Sequence, residues 1–325
     1  MKRKYWLAAL LVALLTMTCK LKEDEPEPSG PISFEASPVD IARINRATPL
    51  GNLNPPGHTF PTDHIYFYMN GTSLVTVQAI APGTVSQLYF NSYFSDYRIE
   101  FTHTSTFSSY LDHVKNPPAA VVVGTEVATG DFLGYSDPTT TALDLGVIDM
   151  DVTRGFIVPA RYIDRSLHGG DPYSYFIEPF RSQLLAKNPR TVEPRGGVFD
   201  YDIDGRLVGN WFLEGIPADN QAAGIDYSYG HLAFVYDMVT PSEIHISCGG
   251  TLALSPFNRK VLGNSPNPNS VSVSSGRIKY ELVVSPPAVL MVEMLGNRSI
   301  RAEVFPNRTL GSALSFTAAA RNYIR

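Results

Sequence analysis

Cysteine, clustered basic residues and long apolar runs are all scarce in this sequence, and each scarcity excludes a class of protein. Two of the 325 residues are cysteines, Cys19 and Cys248, too few for a disulfide-stapled scaffold. Charged residues make up 18% of the chain, with a net charge of -5 and no basic cluster, which argues against nucleic acid as a partner. The apolar run at residues 6–17 is shorter than the roughly 20 residues that a membrane-spanning helix needs.

The N-terminus has the pattern of a secretory signal. Lys2, Arg3 and Lys4 precede the apolar run, as in the charged and apolar regions of a signal peptide. Cys19 follows directly, and the segment resembles a bacterial lipoprotein signal, although Thr18 replaces the usual small residue before the cysteine. The sequence therefore predicts a signal peptide at 1–18 and export across the inner membrane. The resemblance implies a lipid on Cys19 that anchors the protein in the cell envelope, at the outer membrane; the alternative is an ordinary cleaved signal without a lipid.

Abundant residues point to a mainly β protein. Aromatic residues are frequent, with 17 Tyr and 17 Phe, and Gly and Pro number 25 each, a mixture typical of short strands joined by turns. About eight further β-type runs follow residue 196, the first at 198–202 and the last at 314–321. The expected organisation is a disordered tether at 19–32, an antiparallel β-sheet domain at 33–152, a helical connection at 153–195 with its best helix at 178–187, and an antiparallel β-sandwich or barrel at 196–325.

Candidate metal ligands lie at both ends of the first β region. His58, Asp63 and His64 come within seven residues of one another, and Asp144 lies on a later predicted strand. Imidazole and carboxylate groups are ligands of Zn²⁺, and a catalytic zinc site needs three of them plus a water. Because adjacent strand residues face opposite ways, we expect either Asp63 or His64, and not both, to face the site. The alternative is that these are ordinary loop and strand-end side chains satisfied by backbone groups.

The order of motifs in residues 55–150 resembles the lysostaphin-type zinc metallopeptidases, which are bacterial cell-wall endopeptidases built on a compact antiparallel sheet. The matching segments are His58 with Asp63, the Ala-Pro-Gly-Thr-Val turn at 81–85, the strand ending in His103, the segment from Tyr110 to His113, the glycines from Gly124 to Gly134, and the strand Ala142-Leu143-Asp144. The resemblance implies a possible zinc site formed by His58, Asp63 or His64, and Asp144, with His113 as the catalytic acid or base and peptidoglycan as the substrate.

The sequence departs from that family at the catalytic and metal-binding positions. Ala142 replaces the histidine that would assist catalysis, and Asp144 replaces a metal-binding histidine. The Tyr-x-His segment also carries one extra residue before His113. Losing one general acid or base typically costs a factor of 10²–10⁴ in rate, so the domain is either a divergent peptidase or one that keeps the fold without the catalysis.

Two functions follow from the sequence. The first is an envelope lipoprotein whose zinc metallopeptidase-like domain acts on peptidoglycan or another envelope polymer. The alternative is a non-enzymatic binding or scaffold lipoprotein that recognises a glycan, peptide or protein partner through its C-terminal β domain. In both, membrane contact comes from the lipid on Cys19 and not from a charged surface.

Overall fold

The computed structural model describes residues 28–217, 228–263 and 265–325. The predicted signal peptide, Cys19 and most of the predicted tether lie outside these residues. The described chain is mainly β, and its strands pair antiparallel, as the sequence predicts. No helix in the described part of the chain is long and apolar enough to cross a membrane.

A seven-stranded sheet forms the first half of the structure, beside a two-stranded ribbon. The sheet has the strand order β1-β2-β9-β6-β5-β4-β7, and the ribbon pairs β3 with β8. The strands are β1 (Ile44–Ala47), β2 (His64–Met69), β3 (Val75–Gln78), β4 (Gly83–Asn91), β5 (Asp96–Thr104), β6 (Phe107–Val114), β7 (Glu126–Val127), β8 (Phe132–Ser136) and β9 (Leu143–Asp149).

The central strands β2 and β9 are buried on both faces. Ile65 and Phe67 of β2, with Leu143 and Leu145 of β9, belong to the hydrophobic core cluster. Residues on the other face of these strands include polar side chains that are also buried. Because successive strand residues alternate between faces, one face of the sheet holds the core and the other is free to carry a polar site.

A bulge interrupts the pairing of β5 with β6. Tyr97 pairs with Val114 and Ile99 with Leu111, so two steps along β5 face three along β6. His113 has a φ of +69°, in the left-handed region that only a few per cent of non-glycine residues occupy.

The connection after the first sheet contains three short helices, α1 (Asp164–Leu167), α2 (Pro172–Tyr175) and α3 (Phe180–Ala186). Helix α3 falls within the predicted 178–187 segment. Tyr173, Phe176 and Leu184 from this connection are buried in the same hydrophobic cluster as the first sheet. The connection therefore packs as part of the first domain's core and brings its polar residues against the sheet.

The C-terminal part is a barrel-like sheet of eight strands. Their order is β13-β12-β11-β10-β17-β16-β15-β14, and Val261 after β13 bridges Leu282 of β14. Hydrogen bonds from the Leu262 amide to the Glu281 carbonyl and from the Val283 amide to the Lys260 carbonyl complete this closure. The strands are β10 (Gly209–Leu213), β11 (His231–Tyr236), β12 (Ile244–Cys248), β13 (Phe257–Lys260), β14 (Arg277–Leu282), β15 (Ala288–Gly296), β16 (Ser299–Pro306) and β17 (Arg321–Ile324).

Two predicted runs in this part are not the strands that the pattern indicated. Residues 198–202 form no strand, and the run at 314–321 contains only the first residue of β17. In residues 198–202, Asp200 accepts a hydrogen bond from the Gly155 amide and Asp202 accepts one from the Asn210 amide. These side-chain hydrogen bonds hold the segment in place without a neighbouring strand. The strand β13 was not predicted.

Large side chains fill the barrel interior. Trp211, Phe234, Tyr280 and Tyr323 each have no exposed surface. The guanidinium of Arg325 lies 4.0 Å above the Trp211 ring and donates hydrogen bonds to carbonyls of the 203–210 segment. A filled interior of this kind is a packed core, in contrast to the open cavity of a small-molecule carrier.

Candidate metal centre

The polar face of the first sheet is organised in two rows that cross the central strands. His64, Gly146 and Tyr110 are direct partners on β2, β9 and β6. In the next row Tyr66, Asp144 and Asp112 are partners on the same three strands. Cross-strand partners point to the same face, so the fold brings His64 and Asp144, 80 residues apart in sequence, into one site.

Asp144 is the centre of this site. Its carboxylate is 4% exposed, and its Oδ2 lies 3.6 Å from the Nε2 of His64 and 3.7 Å from the Nε2 of His113. These separations are too long for hydrogen bonds, and the Oδ1 atom is buried without a hydrogen-bond partner in the described structure. Burial raises the pKa of Asp144 to about 6, against the opposing effect of the two imidazoles.

Each imidazole is fixed on its other nitrogen by a carboxylate. The Nδ1 of His64 lies 2.9 Å from Asp63 Oδ1, and the Nδ1 of His113 lies 2.8 Å from Asp96 Oδ2. A neutral imidazole that donates its Nδ1 proton to a carboxylate presents a lone pair on Nε2. Both lone pairs then face the Asp144 carboxylate, an arrangement that is unfavourable unless protons or a cation lie between them.

This donor set fits a divalent metal. Two imidazoles and a carboxylate are the ligands that Zn²⁺ accepts, and carboxylates that hold the distal nitrogens of ligating histidines are the usual outer support of such sites. The unpartnered Asp144 Oδ1 is the observation that calls for a ligand. Among the described residues, the donor atoms of His64, Asp144 and His113 do not all lie within 4.8 Å of one another, so one ion bound by all three would require the two imidazoles to lie closer together.

Of Asp63 and His64, His64 faces Asp144, and Asp63 is bonded to the far side of the His64 ring. Strand β2 begins at His64, so the alternation of strand faces does not extend to Asp63. Asp63 accepts hydrogen bonds from Ser166 at 2.7 Å and Tyr110 at 3.4 Å, and its Oδ2 lies 3.9 Å from the Nε of Arg165. The Asp63 carboxylate is thus turned toward His64, Ser166 and Tyr110, and not toward Asp144.

The charge of Asp63 is stabilised by these neighbours. Burial alone would raise the pKa of the carboxyl, but the hydrogen bond to His64 and the positive charge of Arg165, together with Ser166, hold the pKa well below its usual range. An anionic Asp63 keeps the Nδ1 proton of His64 in place, which leaves Nε2 as the atom available to a ligand.

His58 lies next to the site as a third imidazole. Its ring centre is 5.2 Å from that of His64, edge to face. Burial, followed by the proximity of His64, lowers the pKa of His58 to about 3. His58 is therefore neutral at pH 7, and its burial disfavours the protonated form.

The burial of His113 is offset by surrounding carboxylates. Desolvation lowers its pKa, but the hydrogen bond to Asp96 and the charges of Asp144 and Asp112 outweigh it, so the pKa lies above the ordinary value. The bulge and left-handed backbone at His113 place its ring between Asp96 and Asp144. Strained backbone positions of this kind concentrate at functional sites.

A neighbouring acidic group is better explained by an arginine than by a metal. Asp96, Asp112 and His113 are the group, among the described residues, whose ligand atoms all lie within 4.8 Å of one another. However, the Arg98 guanidinium already donates two hydrogen bonds to Asp112, and Asp96 holds His113. The Arg98 charge disfavours a second cation there.

Several site residues carry no signal in the sequence. Asp96, Arg98, Arg165 and Ser166 belong to none of the matched motifs, and the last two come from the helical connection. Tyr110 lies between two guanidiniums, with Arg98 4.9 Å and Arg165 5.4 Å from its ring centre.

Two residues of the matched motifs lie outside the site. His103 has both ring nitrogens engaged, by Pro82 and Ser109. Ala142 is buried immediately before β9.

Comparisons with known proteins give partial structural likenesses. No family model matches the chain, and no curated protein sequence matches it. Similar solved structures include Csd3 of Helicobacter pylori, at 17% identity over 37% of this chain and 32% of that chain, with a TM-score of 0.29. A zinc-containing peptidase of Vibrio cholerae is 18% identical over 37% of each chain, with a TM-score of 0.30.

The catalytic domain of the antimicrobial peptidase lysostaphin of Staphylococcus simulans is 16% identical over 48% of this chain and 91% of its own, with a TM-score of 0.28. The match thus covers only about a third of the length of Csd3 and of the Vibrio peptidase. At such identities and TM-scores these likenesses do not assign a family, and the functional argument rests on the site.

Proposed function

We propose that the first domain binds Zn²⁺ through His64, His113 and Asp144 and hydrolyses an amide bond in peptidoglycan or another polymer of the cell envelope. The observation that carries this proposal is the Asp144 carboxylate, buried without a hydrogen bond between two imidazoles that are each anchored by another carboxylate. In this proposal His113 is a ligand and Asp63 supports His64, whereas the resemblance assigned the metal to His58, Asp63 or His64, and Asp144.

The surrounding residues supply proton transfer and orientation. A bound Zn²⁺ would lower the pKa of a water and polarise a carbonyl. His58 lies with its ring centre 5.2 Å from that of His64 and, as a neutral imidazole, lines the site in this proposal. Burial raises the pKa of Tyr66 and of Tyr110 well above the usual value, so both hydroxyls keep their protons at neutral pH and can act as donors.

The proposed substrate agrees with the proposed location. Residues 1–19 have the features of a lipoprotein signal, and we propose that the mature protein is exported and held in the envelope through Cys19. A site on a tethered domain in that compartment meets peptidoglycan and other envelope polymers directly.

Metal analysis of the full mature chain tests the proposal. We expect one zinc per chain after mild purification without chelator, and loss of that zinc in Asp144→Ala. Glu126→Ala, which removes an exposed carboxylate on the edge strand β7, is the matched control and retains the metal. A wild-type chain that folds but takes up no zinc from solution would contradict the proposal.

Ala142 favours a second candidate function. It stands where the resembling family has an assisting histidine, so the domain would bind an envelope polymer or partner without cleaving it, with recognition shared by the C-terminal barrel. Release of new amino groups from purified peptidoglycan separates the two: zinc with hydrolysis supports the enzyme, and zinc without hydrolysis of that or other envelope polymers supports the binding role.

A further inference from the structure

A row of side chains runs across the strands from Asp144 to an exposed tyrosine. Asp144 pairs with Asp112, Asp112 accepts a 2.9 Å hydrogen bond from the Nε of Arg98, and Arg98 pairs across β5 and β4 with Tyr89. Neighbouring strands lie about 4.8 Å apart, so three steps cover about 14 Å. Tyr89 therefore stands on the same face as the candidate metal centre, about 14 Å from Asp144.

The turn that joins β4 to β5 places more aromatic surface beside the site. We call residues 89–96 the aromatic hairpin. Tyr89 is 64% exposed and Tyr93 is 86% exposed, whereas Phe94 packs edge to face on His113 with 4.8 Å between ring centres. The hairpin thus contacts the candidate metal ligand His113 through Phe94 and exposes the rings of Tyr89 and Tyr93 to solvent. Such exposure is unusual for large aromatic side chains.

The composition of the hairpin indicates the chemistry of its ligand. Residues 86–95 read Ser-Gln-Leu-Tyr-Phe-Asn-Ser-Tyr-Phe-Ser and contain no charged side chain. The last residue of the hairpin, Asp96, is fully buried and is bonded to His113. Tyrosine provides rigid amphipathic contact area, and serine and asparagine provide adaptable hydrogen bonds. A neutral, hydroxyl-rich chain fits this surface, because a sugar ring presents C–H groups to an aromatic face and hydroxyls to its rim. Residues 86–95 offer no counter-charge to a charged peptide, and Arg98 beside them is already paired with Asp112.

The position of the hairpin makes a membrane an unsuitable occupant. The Pro28 carbonyl accepts a hydrogen bond from the Ser105 amide, so the first described residue lies beside the β5–β6 turn. The aromatic hairpin lies at the other end of β5, a strand of nine residues that spans about 30 Å. The tyrosines therefore lie at the end of the strand remote from that entry point.

We propose that Tyr89 and Tyr93 form a glycan-binding extension of the site, along which a polysaccharide strand lies across β4, β5 and β6 toward Asp144. The inference rests on the proposed action on an envelope polymer and specifies its substrate class: the site engages the glycan part of the polymer, and the aromatic hairpin positions it.

Binding of the full mature chain to immobilised glycan strands, freed of their peptides, tests the inference. The measurement is made in buffer with EDTA, so that it does not depend on zinc. We expect the double variant Tyr89→Ala/Tyr93→Ala to bind about tenfold more weakly, as when buried contact area is truncated at a recognition surface. Tyr89→Phe/Tyr93→Phe keeps both ring faces and is expected to stay within about threefold of wild type.

The control variant is Phe132→Ala, which removes a 42% exposed aromatic ring from β8 and should leave glycan binding unchanged. Equal binding by the double alanine variant, or wild-type binding to the free peptides or to anionic lipid vesicles alone, would overturn the inference. Glycan binding without zinc uptake would reject the proposed metal centre and leave the glycan site standing, so the two failures are distinguishable.

Discussion

Ser166, in the helical connection, donates a 2.7 Å hydrogen bond to Asp63, which in turn holds the Nδ1 of His64. Loss of an outer-shell partner typically reduces metal affinity 10–100-fold. We expect Ser166→Ala to weaken zinc binding by about tenfold, measured by competition with a chromophoric chelator. Ser174→Ala, at an exposed serine of α2, is the control. Equal zinc affinity in the two variants would show that Asp63 is held without Ser166.

The buried His58 should make the metal-free protein sensitive to acid. The unfolded chain protonates this imidazole below about pH 6.5, whereas the folded protein keeps it neutral down to about pH 3. More protons are then bound by the unfolded state, so the stability that His58 retains at neutral pH is lost as the pH falls. The free energy of unfolding is expected to fall, through His58 alone, by about 1.4 kcal/mol for each pH unit between roughly pH 6 and pH 4.

Urea denaturation at pH 7, 6, 5 and 4 measures this effect as the difference between wild type and His58→Asn. The variant is expected to gain relative stability at each step toward acid. His245→Asn, in β12 of the barrel, serves as the control for a histidine outside the first sheet. A pH-independent difference between wild type and His58→Asn would contradict the expected linkage.

Gly146 provides the space in which the Tyr110 ring lies over β9. A Cβ at this position would lie 2.1–2.4 Å from ring atoms of Tyr110, so the ring would have to move away from Asp63. We expect Gly146→Ala to lower the free energy of unfolding by about 1–3 kcal/mol, the usual cost of overpacking, and to weaken zinc binding. Gly311→Ala, where the added Cβ meets nothing within 4 Å, should have little effect on either measurement.

Arg325 fastens the end of the barrel to the segment before β10. Its side chain stacks on Trp211 and donates to the carbonyls of Ile203, Leu207 and Asn210. Arg325→Ala leaves the buried carbonyls without their donor and removes the positive charge 3.8 Å from Asp202, and it should lower the free energy of unfolding, measured in denaturant, by about 3–5 kcal/mol. The exposed Arg321→Ala is the control, and similar losses in both variants would argue against a special role for Arg325.

The sequence alone indicated much of the first domain because the relevant signals are local. Alternating apolar residues and turn glycines predicted a mainly β protein. The motifs singled out His58, Asp63, His64, His113 and Asp144, of which the sheet brings His64 and His113 against Asp144. The barrel was one of two architectures that the C-terminal pattern allowed. Local alternation could not decide between them, since closure depends on Val261 meeting Leu282 across the sheet edges.

Sequence by itself thus determined that the chain is mainly antiparallel β and that neighbouring residues of a strand take opposite faces, because backbone alternation is a property of neighbours in the chain. Only the tertiary structure decided that Asp63 and Asp96 hold the two imidazoles, and that Arg165 and Ser166 reach Asp63 from a separate segment. These contacts join residues up to 103 positions apart, and their geometry is fixed by strand order, the bulge at His113 and the packing of the helical connection, none of which a local pattern encodes.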